Sequence, residues 1–262
     1  MTLLAILMGT LTAGVGSVWL AAILSFGVLA RYTQHMLSLA AGALLATAFM
    51  HLLPEAFEGS IRAHSLFLVL LAGLIFFFLL DKAELWHHGH EHGHEHGAQP
   101  QQHGAHEHTH ARPSGIWAVL VGDSVHCFGD GVLIASAFMA DLRLGVVASL
   151  AVLAHEVPHH MGDLSVLRSG AGDRRTALVK VSLAGAVTAL GGLLGFWLVE
   201  RLQAYLPYFL VVASSSFIYV ALADLIPQLQ RHLTARETAA QIAWLAAGIV
   251  LVTAVSSMAH AN

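Results

Sequence analysis

No charged side chain occurs in the first thirty residues, and apolar stretches of similar length recur to the end of the chain. Crossing a bilayer takes about 20 mainly apolar residues, and hydrocarbon offers no water to backbone N–H and C=O groups, so each such stretch must be a helix. Eight stretches qualify, at about 3–29, 36–56, 63–81, 115–139, 145–167, 178–200, 206–228 and 239–260. The expected fold class is an all-α polytopic membrane protein of eight transmembrane helices, one domain over 1–262 with the lipid bilayer as its solvent. Apolar residues make up 56% and charged residues 11% of the chain, and the mean hydropathy is +0.70. Those values exclude an ordinary soluble domain. A net charge of −4 leaves no basic patch, so nucleic acid is not an expected partner. The single cysteine, Cys127, excludes an intrachain disulfide. The opening stretch lacks the basic start of a signal peptide and is expected to stay as a membrane helix.

Basic residues give an orientation. With the N-terminus outside, the cytoplasmic connections carry Arg31, Lys82, Arg112, Arg168, Arg174, Arg175, Lys180, Arg231 and Arg236, and the outer ones carry Arg62, Arg143 and Arg201. The positive-inside bias therefore puts both termini outside. It also puts the long connection 83–112 in the cytoplasm of a multi-pass cell-membrane protein. That connection holds ten of the nineteen histidines between His87 and His110, spaced by Gly, Gln and Glu. It cannot bury a core and is expected to be disordered, binding borderline metals loosely as a buffer or sensor.

Two of the eight segments carry groups that a lipid-facing helix excludes. The fourth contains Asp123, His126, Cys127 and Asp130, and the fifth contains His155, Glu156, His159, His160 and Asp163. A charge at the bilayer centre costs roughly 3 kcal/mol or more, so such residues face the bundle interior. Spacings of three and four place His126 and Asp130 on one helix face with Asp123, and His155, His159 and Asp163 on another. Turned toward each other, the two faces form a cage of nitrogen and oxygen donors. Imidazole with carboxylate suits Zn²⁺ and also admits Fe²⁺, Mn²⁺ or Cd²⁺. The bland alternative, polar glue between helices, fits His160 or Asp163 taken singly better than it fits the whole set. Pro158 removes one backbone hydrogen bond and is expected to kink the fifth helix near Ala154.

A second reading of the fifth segment is enzymatic. His155-Glu156-Val157-Pro158-His159 matches H-E-x-x-H, where two histidines hold zinc and glutamate is the base of a metalloprotease. Proline inside the motif and a second donor-rich helix argue for a conduit instead. The chain has no P-loop, so it carries no ATP-driven step of its own. Segments two and seven echo each other, with His51-Leu-Leu-Pro-Glu55 against Asp224-Leu-Ile-Pro-Gln228. In helices of opposite direction, that echo is the pattern of inverted repeats flanking a central pair. It puts His51 and Glu55 at the outer mouth and Asp224 and Gln228 at the inner one. Small-residue stretches at 40–48 and 185–195 permit close helix approach and could serve a homodimer.

With HLLPEA in segment two, the histidine-rich connection, HCFGDG in segment four, HEVPHHMGD in segment five and FIYVALADLIP in segment seven, the chain resembles the ZIP (Zrt/Irt-like) metal transporters along its whole length. The resemblance implies inverted three-helix repeats around helices four and five. It implies transport of divalent metal ions, zinc foremost, into the cytoplasm, and no enzymatic activity. It implies a binuclear centre, one site drawing on His126, Asp130, His155 and His159 and its neighbour on position 127 and Glu156. Two positions depart from the family pattern: Cys127 stands where asparagine is common, and His160 where glutamate is common. Cys127 is either a small apolar substitute or a thiolate ligand favouring softer ions.

Overall fold

The computed structural model describes residues 1–25, 33–89, 113–171, 173–229 and 234–260. Helices account for nearly all of them, and no strand occurs among the described residues. In chain order they are α1 (Thr2–Leu11), α2 (Ser17–Ser25), α3 (Thr33–Thr47), α4 (Leu53–Phe57), α5 (Ala63–Gly89), α6 (Pro113–Ala140), α7 (Leu142–Ala171), α8 (Arg174–Arg201), α9 (Leu206–Tyr219), α10 (Ile226–Leu229) and α11 (Ala235–His260). Wide π-helical turns join α1 to α2 (Thr12–Gly16), α3 to α4 (Ala48–Leu52) and α9 to α10 (Val220–Leu225). Six candidate membrane spans follow by length and apolar composition: Thr2–Leu24, Gln34–Phe57, Ala63–Leu80, Arg174–Arg201, Gln203–Ala223 and Ala235–Val255. The chain is a multi-pass helical membrane protein.

Hydroxyl side chains inside these helices are satisfied locally. Thr10, Thr47, Ser124, Ser136, Ser149, Ser214 and Thr253 each donate to the carbonyl four residues back. They therefore carry no orphan donor into the lipid. Helix starts outside the apolar stretches are capped. The Asp173 carboxylate accepts the amides of Arg175 and Thr176, which holds its carboxyl below the usual carboxylate range. Thr234 and Glu237 form a reciprocal capping box at the start of α11.

One connection sets the register of the site. α6 ends at Ala140 and α7 begins at Leu142. The intervening Asp141 accepts hydrogen bonds from the amides of Arg143 (2.8 Å) and Leu144 (3.3 Å), an N-cap that reverses the chain in a single residue. The two helices thus run antiparallel, and residues equally far from Asp141 meet across them. Asp123 stands opposite His159, and His126 opposite Glu156.

Lipid is as apolar as leucine, so helix association depends on close packing rather than on escape from water. Gly131 of α6 lies against the Thr188 carbonyl of α8, and Gly191 of α8 against the Phe128 carbonyl of α6, where a Cβ would collide with either oxygen. Gly42 of α3 and Gly248 of α11 make the corresponding approach to the Leu245 and Leu39 carbonyls. The small-residue stretches at 40–48 and 185–195 are largely spent inside the subunit, so they are not the free dimer faces the sequence suggested. Ala40, Ala41, Ala43, Ala46 and Ala48 are all buried.

α7 stays helical through Pro158. Its apolar residues Val152 and Val157 pack into two separate core clusters, and Val147, Leu150, Leu153, Ala154 and Val157 border an apolar cavity of about 710 Å³ shared with α2, α3 and α11. α5 continues to Gly89, so residues 83–89 of the connection expected to be disordered are helical. Residues 90–112, with most of the histidines, lie outside the described residues.

Candidate metal centre

Donor atoms of α6 and α7 converge in three groups. In the first, His126 Nε2 and His155 Nε2 face each other at 3.4 Å. Glu156 Oε1 lies 3.2 Å from the former and 3.4 Å from the latter. Asp130 Oδ2 lies 3.2 Å from His155 Nε2 and 3.9 Å from His126 Nε2. A tetrahedral zinc with bonds of about 2.0–2.1 Å has ligand atoms roughly 3.3 Å apart. The four donors already stand near that spacing.

The second group is Asp123, Cys127, Glu156 and His160, all buried. His160 Nε2 is 3.1 Å from Glu156 Oε2 and 3.4 Å from Asp123 Oδ1. Cys127 Sγ stands 3.6, 3.8 and 4.0 Å from the Asp123, Glu156 and His160 atoms. The longer sulfur distances suit the longer metal–sulfur bond of about 2.3 Å. Glu156 is 1% exposed, and each of its oxygens serves a different group. The third group is Asp123, His159 and Asp163.

Outer contacts fix the imidazole tautomers. The Ser17 hydroxyl of α2 donates to the Gly14 carbonyl at 2.6 Å. It must therefore accept from His160 Nδ1, 2.9 Å away. His155 Nδ1 lies 3.2 Å from the Ala151 carbonyl, which can only accept. In both rings Nδ1 carries a proton, which leaves Nε2 as the atom turned toward the donor group. This is the arrangement by which outer contacts orient metal-ligating histidines.

Of the residues singled out in the sequence, His126, Cys127, Asp130, His155, Glu156, His159, His160 and Asp163 come together here. One regrouping is evident. His159 stands beside His126, with ring centroids 5.4 Å apart, but its Nε2 is directed at Asp163 (3.6 Å) and Asp123 (3.9 Å). Glu156 occupies the place in the first group that the family resemblance gave to His159. The antiparallel register explains the exchange: His159 lies one turn further along α7, level with Asp123 rather than Asp130. Ser17 gave no signal beforehand, being one hydroxyl in an apolar helix. His51 lies half-buried in its π-helical turn and Glu55 exposed in α4. Neither belongs to a donor group among the described residues. Asp224 falls in the turn Val220–Leu225 and Gln228 in α10.

The metalloprotease reading finds no support in the same geometry. His155 and His159 share no donor group among the described residues, and Glu156 is enclosed by four donors instead of being free to activate water.

Membrane-length helices around buried imidazole, carboxylate and thiol donors define a polytopic membrane protein built to handle metal ions. The family description "ZIP Zinc transporter" matches residues 81–256, and the chain belongs to that family, one of transporters rather than enzymes. It is similar to zinc transporter ZIP13 of Pongo abelii, 29% identical over 276 residues that cover 94% of this chain and 76% of that protein. It is 34% identical to zinc transporter ZIP10 of Homo sapiens over 149 residues, 55% of this chain and 17% of ZIP10. To zinc transporter ZIP4 of Homo sapiens it is 39% identical over 114 residues, 42% of this chain and 17% of ZIP4. The chain thus spans a small part of ZIP10 and ZIP4 and most of ZIP13.

Proposed function

We propose that this protein carries divalent metal ions, zinc foremost, across the membrane into the cytoplasm through the donor groups between α6 and α7. The observation that carries the reading is the pair of adjoining donor groups sharing Glu156 in the interior of an otherwise apolar bundle. Carboxylates with neutral imidazoles admit Fe²⁺, Mn²⁺ and Cd²⁺ beside Zn²⁺. α6 has 28 residues and α7 has 30, or about 42 and 45 Å of helix against a hydrocarbon core of about 30 Å. Both are long enough to cross and bring the spans to eight; their polarity is the site itself. Repeats of opposite direction are supported by the local match of segments two and seven. In each, a π-helical turn is followed by an aliphatic residue and then Pro54 or Pro227. The wide turn accommodates the backbone bond that proline cannot make. Direction rests on the basic residues, nine on the cytoplasmic connections and three outside, which also place both termini outside.

Uptake of zinc into liposomes holding the purified protein, read by an internal zinc-sensitive dye, tests the reading. Wild type gives saturable uptake, His126→Ala/His155→Ala abolishes it, and removal of residues 87–110 leaves it in place. Saturable uptake that survives the double substitution would overturn the assignment.

A further inference from the structure

We propose that the apolar cleft between α7 and the α3–α11 pair binds one acyl chain of a bilayer lipid, drawn from the leaflet in which α3 and α11 begin. The inference concerns packing within the membrane and stands apart from the transport reading.

The chemistry of the lining selects hydrocarbon. Apart from the rings of His35 and Trp244, the side chains around this space of about 710 Å³ are aliphatic or methionine. Water finds no set of polar partners there, and an apolar cavity of about 150 Å³ stays dry yet admits benzene. A space more than four times that size takes a long hydrocarbon to give its walls the contacts of a close-packed interior.

Access selects the source. The floor residues Ala43, Val147 and Val252 are 2–4% exposed, whereas Leu20, Leu150, Trp244 and Leu251 at the rim are 40–52% exposed. The cleft is therefore deep and open along one side. Two of its walls belong to the candidate membrane spans Gln34–Phe57 and Ala235–Val255, so the medium at the opening is lipid rather than water.

Length matches a single chain. His35 to Ala43 is eight residues of α3, Val147 to Val157 ten of α7 and Trp244 to Val255 eleven of α11, or about 12, 15 and 16 Å of helix. Half of a hydrocarbon core of about 30 Å is the depth of one leaflet. One end of the cleft also lies at a polar boundary. His35 is the third residue of α3, and Trp244 follows Arg236, Glu237 and Gln241 on α11. The two rings stack there, with centroids 5.7 Å apart and planes inclined by 15°. Tryptophan, with an apolar body and one N–H, is suited to the bilayer interface. The cleft thus starts beneath that pair and runs one leaflet deep.

On α7, Val147, Leu150, Ala154 and Val157 recur at three- and four-residue spacing and form a stripe. His155 and Glu156 fall between the last two. A chain in the cleft packs against the turn of α7 that carries these two donors and helps to hold it.

The test uses the full chain in detergent with Trp19, Trp86, Trp117 and Trp197 replaced by phenylalanine, so that Trp244 alone fluoresces. Phosphatidylcholine brominated on its acyl chains is the quencher. Trp244 emission is expected to fall in a saturable step complete at one lipid per chain. A matched variant that keeps only Trp197, 51% exposed on α8, should show gradual quenching as lipid is added. Ala43→Phe places a ring on the floor of the cleft. It should raise the lipid concentration at half-quenching about tenfold, the effect of excluding about two methylenes, with helical circular dichroism unchanged. Leu251→Phe narrows the exposed mouth and should raise it severalfold, which keeps the comparison intact if Ala43→Phe does not fold. Gradual quenching of Trp244, like that of Trp197, would overturn the proposal, as would half-quenching unchanged in both filled variants. A doubled mass in detergent with Trp244 shielded from the quencher would also overturn it and give the cleft to a second copy of the chain. Metal uptake enters none of these readings, so their failure leaves the transport reading standing.

Discussion

Replacing Gly131 by alanine tests whether helix packing holds the donor groups in place. A Cβ at Gly131 would sit 2.7 Å from the Gly192 nitrogen and 2.9 Å from the Thr188 carbonyl carbon. Backbone atoms on both sides leave no flexible side chain to give way. Ordinary contact is about 3.5–4.0 Å, so α6 and α8 must separate by about 1 Å. Overpacking of this kind costs about 1–3 kcal/mol. The separation acts next door, on Asp130, whose Oδ2 is 3.2 Å from His155 Nε2. An error of about 1 Å in a positioned group costs on the order of a hundredfold in function. The expected result is zinc uptake reduced ten- to a hundredfold with a lower melting temperature and normal membrane insertion. A Cβ added at Gly129 would meet only open space, so Gly129→Ala is the matched control and should transport normally. Equal uptake by wild type and Gly131→Ala would refute the claim that this contact sets the donor geometry.

Two further outcomes follow from the outer and inner contacts of the second group. Ser17→Ala removes the acceptor of the His160 Nδ1 proton and should weaken zinc binding about 10–100-fold, with the helical circular dichroism unchanged; isothermal titration reads the affinity. Cys127→Ala should reduce cadmium binding more than zinc binding, because thiolate favours the softer ion, and competition between the two metals measures the ratio. Equal losses would make Cys127 a spacer.

The segment pattern was readable because hydrocarbon imposes one rule on every crossing helix. The six apolar spans needed only a count of residues, and α6 and α7 stood out because Asp123, Asp130, His155 and Glu156 break that rule. Depth was harder to read. Spacing of three and four tells which face a side chain occupies but not which residue of the partner helix it meets. That depends on the one-residue turn at Asp141, and a different connection would have paired His159 with Asp130. The same limit hid the contact from Ser17, which depends on α2 crossing α7. Small residues at 40–48 and 185–195 announced close helix approach correctly but not its partner, since a glycine face reads alike whether it meets α8, α11 or a second subunit.

Charge balance bears on the Cys127 question. Asp130 and Glu156 together match one divalent ion, so an ion in the first group is neutral within an apolar bundle. Filling the second group adds two positive charges against Asp123 alone, because Glu156 is already counted. A net charge left in a low-dielectric interior is costly, and the remaining group able to supply the missing negative charge from within that set is the Cys127 thiol. Metal binding drives such thiols to thiolate with release of the proton. As a ligand Cys127 would release its proton when a second ion enters; as a small apolar substitute it would leave that ion's second charge unbalanced. Asparagine at this position could offer an oxygen but no charge.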